Sequence, residues 1–94
     1  MAEHQISEDM QQLQTLLEED LLKLYGPVLT GDEIQKVLGY RSKDAYRQAV
    51  TRKTVPVPLF EMEKRRGKFA LAKDIARYLA RQRFTTLTDT TNGR

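Results

Sequence analysis

The chain has 94 residues, a formal net charge of +3, no cysteine and a single histidine. That length accommodates one small core with an appended helix, and the lack of cysteine excludes a disulfide framework, a thiolate nucleophile and a cysteine zinc site. No run approaches the ~20 apolar residues of a membrane span, and Met1-Ala2-Glu3-His4 lacks the basic and apolar regions of a secretory signal, so a cytoplasmic location and no membrane partner are expected.

Charge is segregated along the chain. Residues 1–24 carry one Lys against six acids, whereas residues 25–84 carry fourteen Lys and Arg against six acids. An acidic arm is therefore joined to a basic body, and a basic body is the electrostatic footprint of a polyanion partner.

Ile6, Met10, Leu13, Leu17, Leu21 and Leu24 recur at the helical period, which predicts one amphipathic helix capped by Ser7 and ended by Gly26-Pro27. Its apolar stripe is expected to pack on the body or to form a short dimer contact. Residues 1–26 thus read as an N-terminal helix, 27–84 as the basic body and 85–94 as a flexible tail.

Thr30-Gly31-Asp32-Glu33 fits a capping box, opening a short helix to about Leu38 that Gly39 stops. Ser42 caps a second helix to about Arg52. At 100° per residue, Ala45, Tyr46, Ala49 and Val50 share an apolar face opposite Asp44, Arg47, Gln48 and Thr51, with Lys43 and Arg52 on the borders.

Val55-Pro56-Val57-Pro58 forbids a helix. Residues 59–63 alternate as a half-buried strand, Lys64-Arg65-Arg66-Gly67 reads as a turn and Lys68-Phe69-Ala70-Leu71 as the returning strand. A last helix, residues 73–83, buries Ile75, Tyr78 and Leu79 with help from Ala72 and Ala76.

The expected fold is mainly α with a small β-hairpin, a winged helix-turn-helix preceded by an amphipathic helix. In that geometry the second helix enters a major groove and the hairpin grips phosphates beside it. Arg47 and Gln48 suit bidentate contacts with guanine and adenine, and Thr51 suits a thymine methyl. Arg41, Ser42, Lys43, Arg52, Lys64, Arg65, Arg66 and Lys68 suit phosphates, while Arg77, Arg81 and Arg83 serve a helix C-terminus equally well.

The stretch from Val28 to Gln82 resembles the winged helix-turn-helix of phage excisionases and AlpA-like regulators, related to the MerR DNA-binding head. The likeness rests on Leu29-Thr30-x-x-Glu33-Ile34-x-x-Val37-Leu38-Gly39, Ala45-Tyr46-Arg47, Val55-Pro56 and Asp74-Ile75-x-x-Tyr78-Leu79. It implies that the helix after Ser42 is the recognition helix, the hairpin the wing, and the protein a phage- or mobile-element-type transcription regulator or excisionase-like architectural factor. Departures are Lys53-Thr54 where the family usually has a Gly, an unusually basic wing tip and the added acidic helix.

Catalysis is not expected. His4 lies in the acidic arm, no glycine-rich phosphate loop is present, Ser7 and Ser42 are placed as caps, and Glu18-Glu19-Asp20 falls on a solvated face. No cofactor, metal or small-molecule substrate is implied. The expected partners are double-stranded DNA, a second copy, and a recombinase or RNA polymerase. The rival class is a winged-helix protein-interaction module without DNA binding, for which the basic cluster would have no use.

Overall fold

A computed structural model describes the backbone of residues 2–89 and the side chains of residues 8–85. Chain order is α1 (Ala2–Tyr25), β1 (Val28–Leu29), α2 (Gly31–Leu38), α3 (Lys43–Arg52), β2 (Ala70–Leu71) and α4 (Ala72–Asp89). The protein is mainly helical, with one small antiparallel sheet among the described residues.

The sheet pairs Val28 with Leu71 and Leu29 with Ala70. It ties the entry to α2 to the entry to α4, and the Ala72 N–H extends it by donating to the Pro27 carbonyl at 2.9 Å. Leu29 and Ala70 are fully buried there, joined by Ile34 of α2 and Ile75 and Ala76 of α4. Ala72, Ala76 and Ala80 give α4 a smooth face that neighbouring backbone can approach closely.

Helix α1 lies along α4, with Leu21 buried and Leu17 and Tyr25 packed against the same core. The Leu17 and Leu21 part of the apolar stripe is thus covered within the chain. Two features of the expected helix change. It begins at Ala2, so Ser7 is inside it rather than capping it. Residues 2–5 include no Gly or Pro, so nothing in the sequence forces a start at Ser7. Leu24, expected in the seam, is 71% exposed. The seam follows the i, i+4 row Leu17, Leu21 and Tyr25, which turns Leu24 outward. Met10 and Leu13 are half-buried, and the Ile6 side chain falls outside the described residues.

The strand expected over residues 59–63 shrinks to one bridge, Phe60 with Phe69, whose amides and carbonyls exchange bonds of 2.9 and 2.8 Å. Residues 61–68 intervene, too many for a tight two-residue turn, and Lys64 and Gly67 both take positive φ and curl the segment. No ladder propagates from the bridge, and the following strand, β2, pairs with β1 instead. The segment between α3 and β2 is therefore a wing-like loop pinned at its base.

Helix α4 runs from Ala72 to Asp89, past the expected end at Arg83, so residues 85–89 of the expected tail are helical. No Gly or Pro interrupts that stretch, and threonine's modest helix propensity does not stop a helix already nucleated. Residues 90–94 lie outside the described residues. Among the described residues no helix is long and apolar enough to cross a membrane, and no cluster of His, Asp and Glu could hold a metal ion.

Candidate nucleic-acid interface

Helices α2 and α3 are set by their caps. The Thr30 hydroxyl accepts from the Glu33 N–H at 3.4 Å, and the Glu33 carboxylate accepts from the Thr30 N–H at 3.0 Å. At the other end Gly39 takes φ 81°, and the Tyr40 N–H reaches back to the Gln35 carbonyl at 3.0 Å. This is a Schellman ending, which stops α2 abruptly and frees the chain to turn.

Ser42 then starts α3, its hydroxyl oxygen accepting from the Ala45 N–H at 3.0 Å. Helix α3 ends in a second Schellman arrangement, with Lys53 N–H to the Val50 carbonyl at 3.1 Å and Thr54 N–H to the Ala49 carbonyl at 2.9 Å. Lys53 holds the left-handed position with φ 60°, where a Gly was the expected residue. The exit of α3 is therefore the ordinary one, made with a strained residue.

Packing fixes how α3 is rolled. Tyr46 and Ala49 are buried, and Tyr46 stacks edge-on to Tyr40 with ring centres 5.6 Å apart. The Tyr46 ring also approaches the start of α2, where a Cβ on Gly31 would sit 3.5 Å from it. Its hydroxyl is buried without a hydrogen-bond partner among the described residues. Burial pushes the Tyr46 phenol pKa up, and the nearby Tyr40 phenol adds to that; Tyr40 is raised in turn by burial and by Tyr78.

With Tyr46 and Ala49 inward, Lys43, Asp44, Arg47, Gln48, Thr51 and Arg52 are all exposed. Lys43, Arg47 and Thr51 of α3 line a cleft of about 520 Å³. Arg65, Arg66 and Lys68 of the loop line the same cleft, with Tyr46 and Phe69 among the apolar lining and the cap residue Thr30 and Asp32 and Gln35 of α2 completing it. The open side of the second helix and the basic loop therefore face a common space.

No protein-family model, curated protein or solved structure matches the chain. The site stands on its own geometry.

A second, shallower groove of about 310 Å³ runs over the outer surface of α3, lined by Arg47, Gln48, Thr51 and Arg52. Arg47 and Thr51 belong to both, so they form the ridge between them. Arg41, Ser42 and Lys64 are exposed but line neither. Ser42 spends its oxygen on the cap and keeps its hydrogen to donate, while Lys64 makes the loop's left-handed bend at φ 62°.

Three acids stand beside the cations. Lys43 is 4.0 Å from Asp32, Arg47 is 3.8 Å from Asp44 and Lys68 is 3.1 Å from Glu61. All are exposed pairs, each worth ~1 kcal/mol or less, so they order the side chains loosely and yield to a stronger anion. Arg65 is held differently: its guanidinium lies over the Phe69 ring.

The sequence reading did not include α2 in the site. Asp32 and Gln35 share a helix face, and that i, i+3 spacing of polar residues was the available signal. Phe69 as the platform for Arg65 had no signal beyond an aromatic next to a basic run.

Proposed function

We propose that the protein binds duplex DNA site-specifically, as a small regulator or an excisionase-like architectural factor of the phage or mobile-element type. Arg47, Gln48 and Thr51 read base edges in a major groove. Arg41, Ser42, Lys43, Arg52, Lys64, Arg65, Arg66 and Lys68 hold the phosphates on either side.

The observation that carries this reading is the shared cleft, which Lys43 and Arg47 of α3 line together with Arg65, Arg66 and Lys68 of the loop. A single helix with charges on its outer face is compatible with plain solvation. Two separate elements directing cations into one concavity concentrate positive potential there, and a polyanion gains from it. Arg47 and Gln48 on the exposed ridge add side chains with the forked donor and acceptor geometry that distinguishes guanine and adenine.

A mobility-shift titration tests it. If about 5–6 phosphates are neutralised, log affinity falls against log salt with a slope of about −5. A flat response to salt, or equal affinity for every duplex offered, would overturn the reading.

A further inference from the structure

Away from the cleft, a pocket of about 190 Å³ is lined by Pro56 and Pro58 of the loop after α3 and by Asp74, Arg77, Tyr78 and Arg81 of α4. Arg77 and Arg81 are exposed, one helical turn apart, and neither has an ion-pair partner among the described residues. The two prolines and the Tyr78 ring supply apolar surface between them. Asp74 leaves the rim net positive.

The complementary surface is on the same chain. Because α1 gives Leu17 and Leu21 to its own core, Leu16, Glu19 and Asp20 are left exposed, and at i, i+3 and i+4 they share a face. Leu16 is 53% exposed, and neither acid is paired among the described residues.

We propose that this face of α1 docks into the Arg77–Arg81 pocket of a second copy of the chain, Leu16 against the prolines and Tyr78, Glu19 and Asp20 on the two arginines. A chain cannot satisfy itself this way, since α1 already presents its opposite side to α4. The two patches differ, so the contact is heterologous: it adds copies in a row and does not close as a two-fold pair. It uses none of the residues assigned to DNA, and so stands or falls separately from that assignment.

Sedimentation of the full chain over a concentration series tests it. The expected mass rises past two copies with concentration and falls back at high salt, as screened charge pairs require. Glu19→Gln with Asp20→Asn, and separately Arg77→Ser with Arg81→Ser, each weaken association about tenfold or more. Mixing these two double variants restores association but stops it at a one-to-one pair, because each retains only one working patch. A monomer at all concentrations, or association untouched by either double variant, overturns the proposal. So does a result in which Arg77→Ser with Arg81→Ser weakens binding to a short single-site duplex while self-association persists, which would make the patch a nucleic-acid contact.

Discussion

Arg65 lies over Phe69, its guanidinium carbon 5.0 Å from the ring centre, and Phe69 is itself 3% exposed and bonded through its backbone to Phe60. A long cationic side chain at a loop tip ordinarily loses rotamer freedom on binding an anion; here the ring limits that freedom beforehand. Phe69→Leu keeps most of the buried volume and removes the π face. The expected result is a stability loss of about 1 kcal/mol and a several-fold loss of DNA affinity, equal on matched and scrambled duplexes, read by thermal melts and mobility shifts. Unchanged affinity would mean that the stacking does not prepare Arg65 for phosphate.

Arg47 and Arg65 line the same cleft, yet of the two only Arg47 also borders the outer groove beside Gln48. The expected division is that Arg47→Ala relaxes sequence preference, losing about 1–3 kcal/mol on the matched site and less on a scrambled one. Arg65→Ala weakens both alike and makes the salt slope shallower by about one. Parallel titrations of the two variants on both duplexes check it, and identical behaviour would remove the distinction between reading and holding.

Gly39 and Lys53 do the same work at the ends of α2 and α3, each taking a left-handed backbone and closing a Schellman ending. Gly does this without steric cost, whereas a residue with a Cβ is strained there by about 1 kcal/mol or more. Lys53→Gly is therefore expected to stabilise the fold by about 0.5–1 kcal/mol, a rise in melting temperature of roughly 3–6 °C, and Gly39→Ala to destabilise it by a similar amount. Lys53 lines neither the cleft nor the outer groove, so the gain in stability should come with little change in DNA affinity.

These positions show which parts of the molecule were legible in the sequence. The caps at Thr30, Gly39 and Ser42 and the roll of α3 followed from local chemistry, because a hydroxyl before a helix or an apolar arc at 100° steps leaves few alternatives. Strand pairing was not local. Ala70 and Leu71 were read as returning to residues 59–63, but nothing in their alternation specifies a partner, and burial beside Leu29 and Ile75 decided for β1. The end of the seam on α1 was misread for a related reason: Leu24 and Tyr25 are both apolar, and only the position of α4 determines which one is covered. For the site, the exposed face of α3 could be read from its period. That the loop's cations share a cleft with it depends on the Phe60 to Phe69 bridge, which joins residues nine apart.

The buried hydroxyl of Tyr46 yields the last prediction. It has no hydrogen-bond partner among the described residues, and the ring that carries it packs against the Tyr40 ring and the start of α2. A buried unpaired hydroxyl costs about 1–3 kcal/mol of desolvation, so Tyr46→Phe, which leaves the ring packing intact, is expected to keep or raise stability by about 1 kcal/mol. The same burial makes the phenolate harder to form in the folded protein than in the unfolded chain, whose tyrosines titrate at the ordinary phenol value of 10.0. Above that pH the unfolded state gives up the proton first, and its share of the equilibrium grows; below it both states keep the proton and nothing is lost. Stability of the native sequence should thus fall as pH rises above about 10, and the Tyr46→Phe variant should fall less steeply. Comparing the two melts from pH 8 to 11 cancels every contribution common to both chains, and parallel curves would show that Tyr46 carries no such linkage.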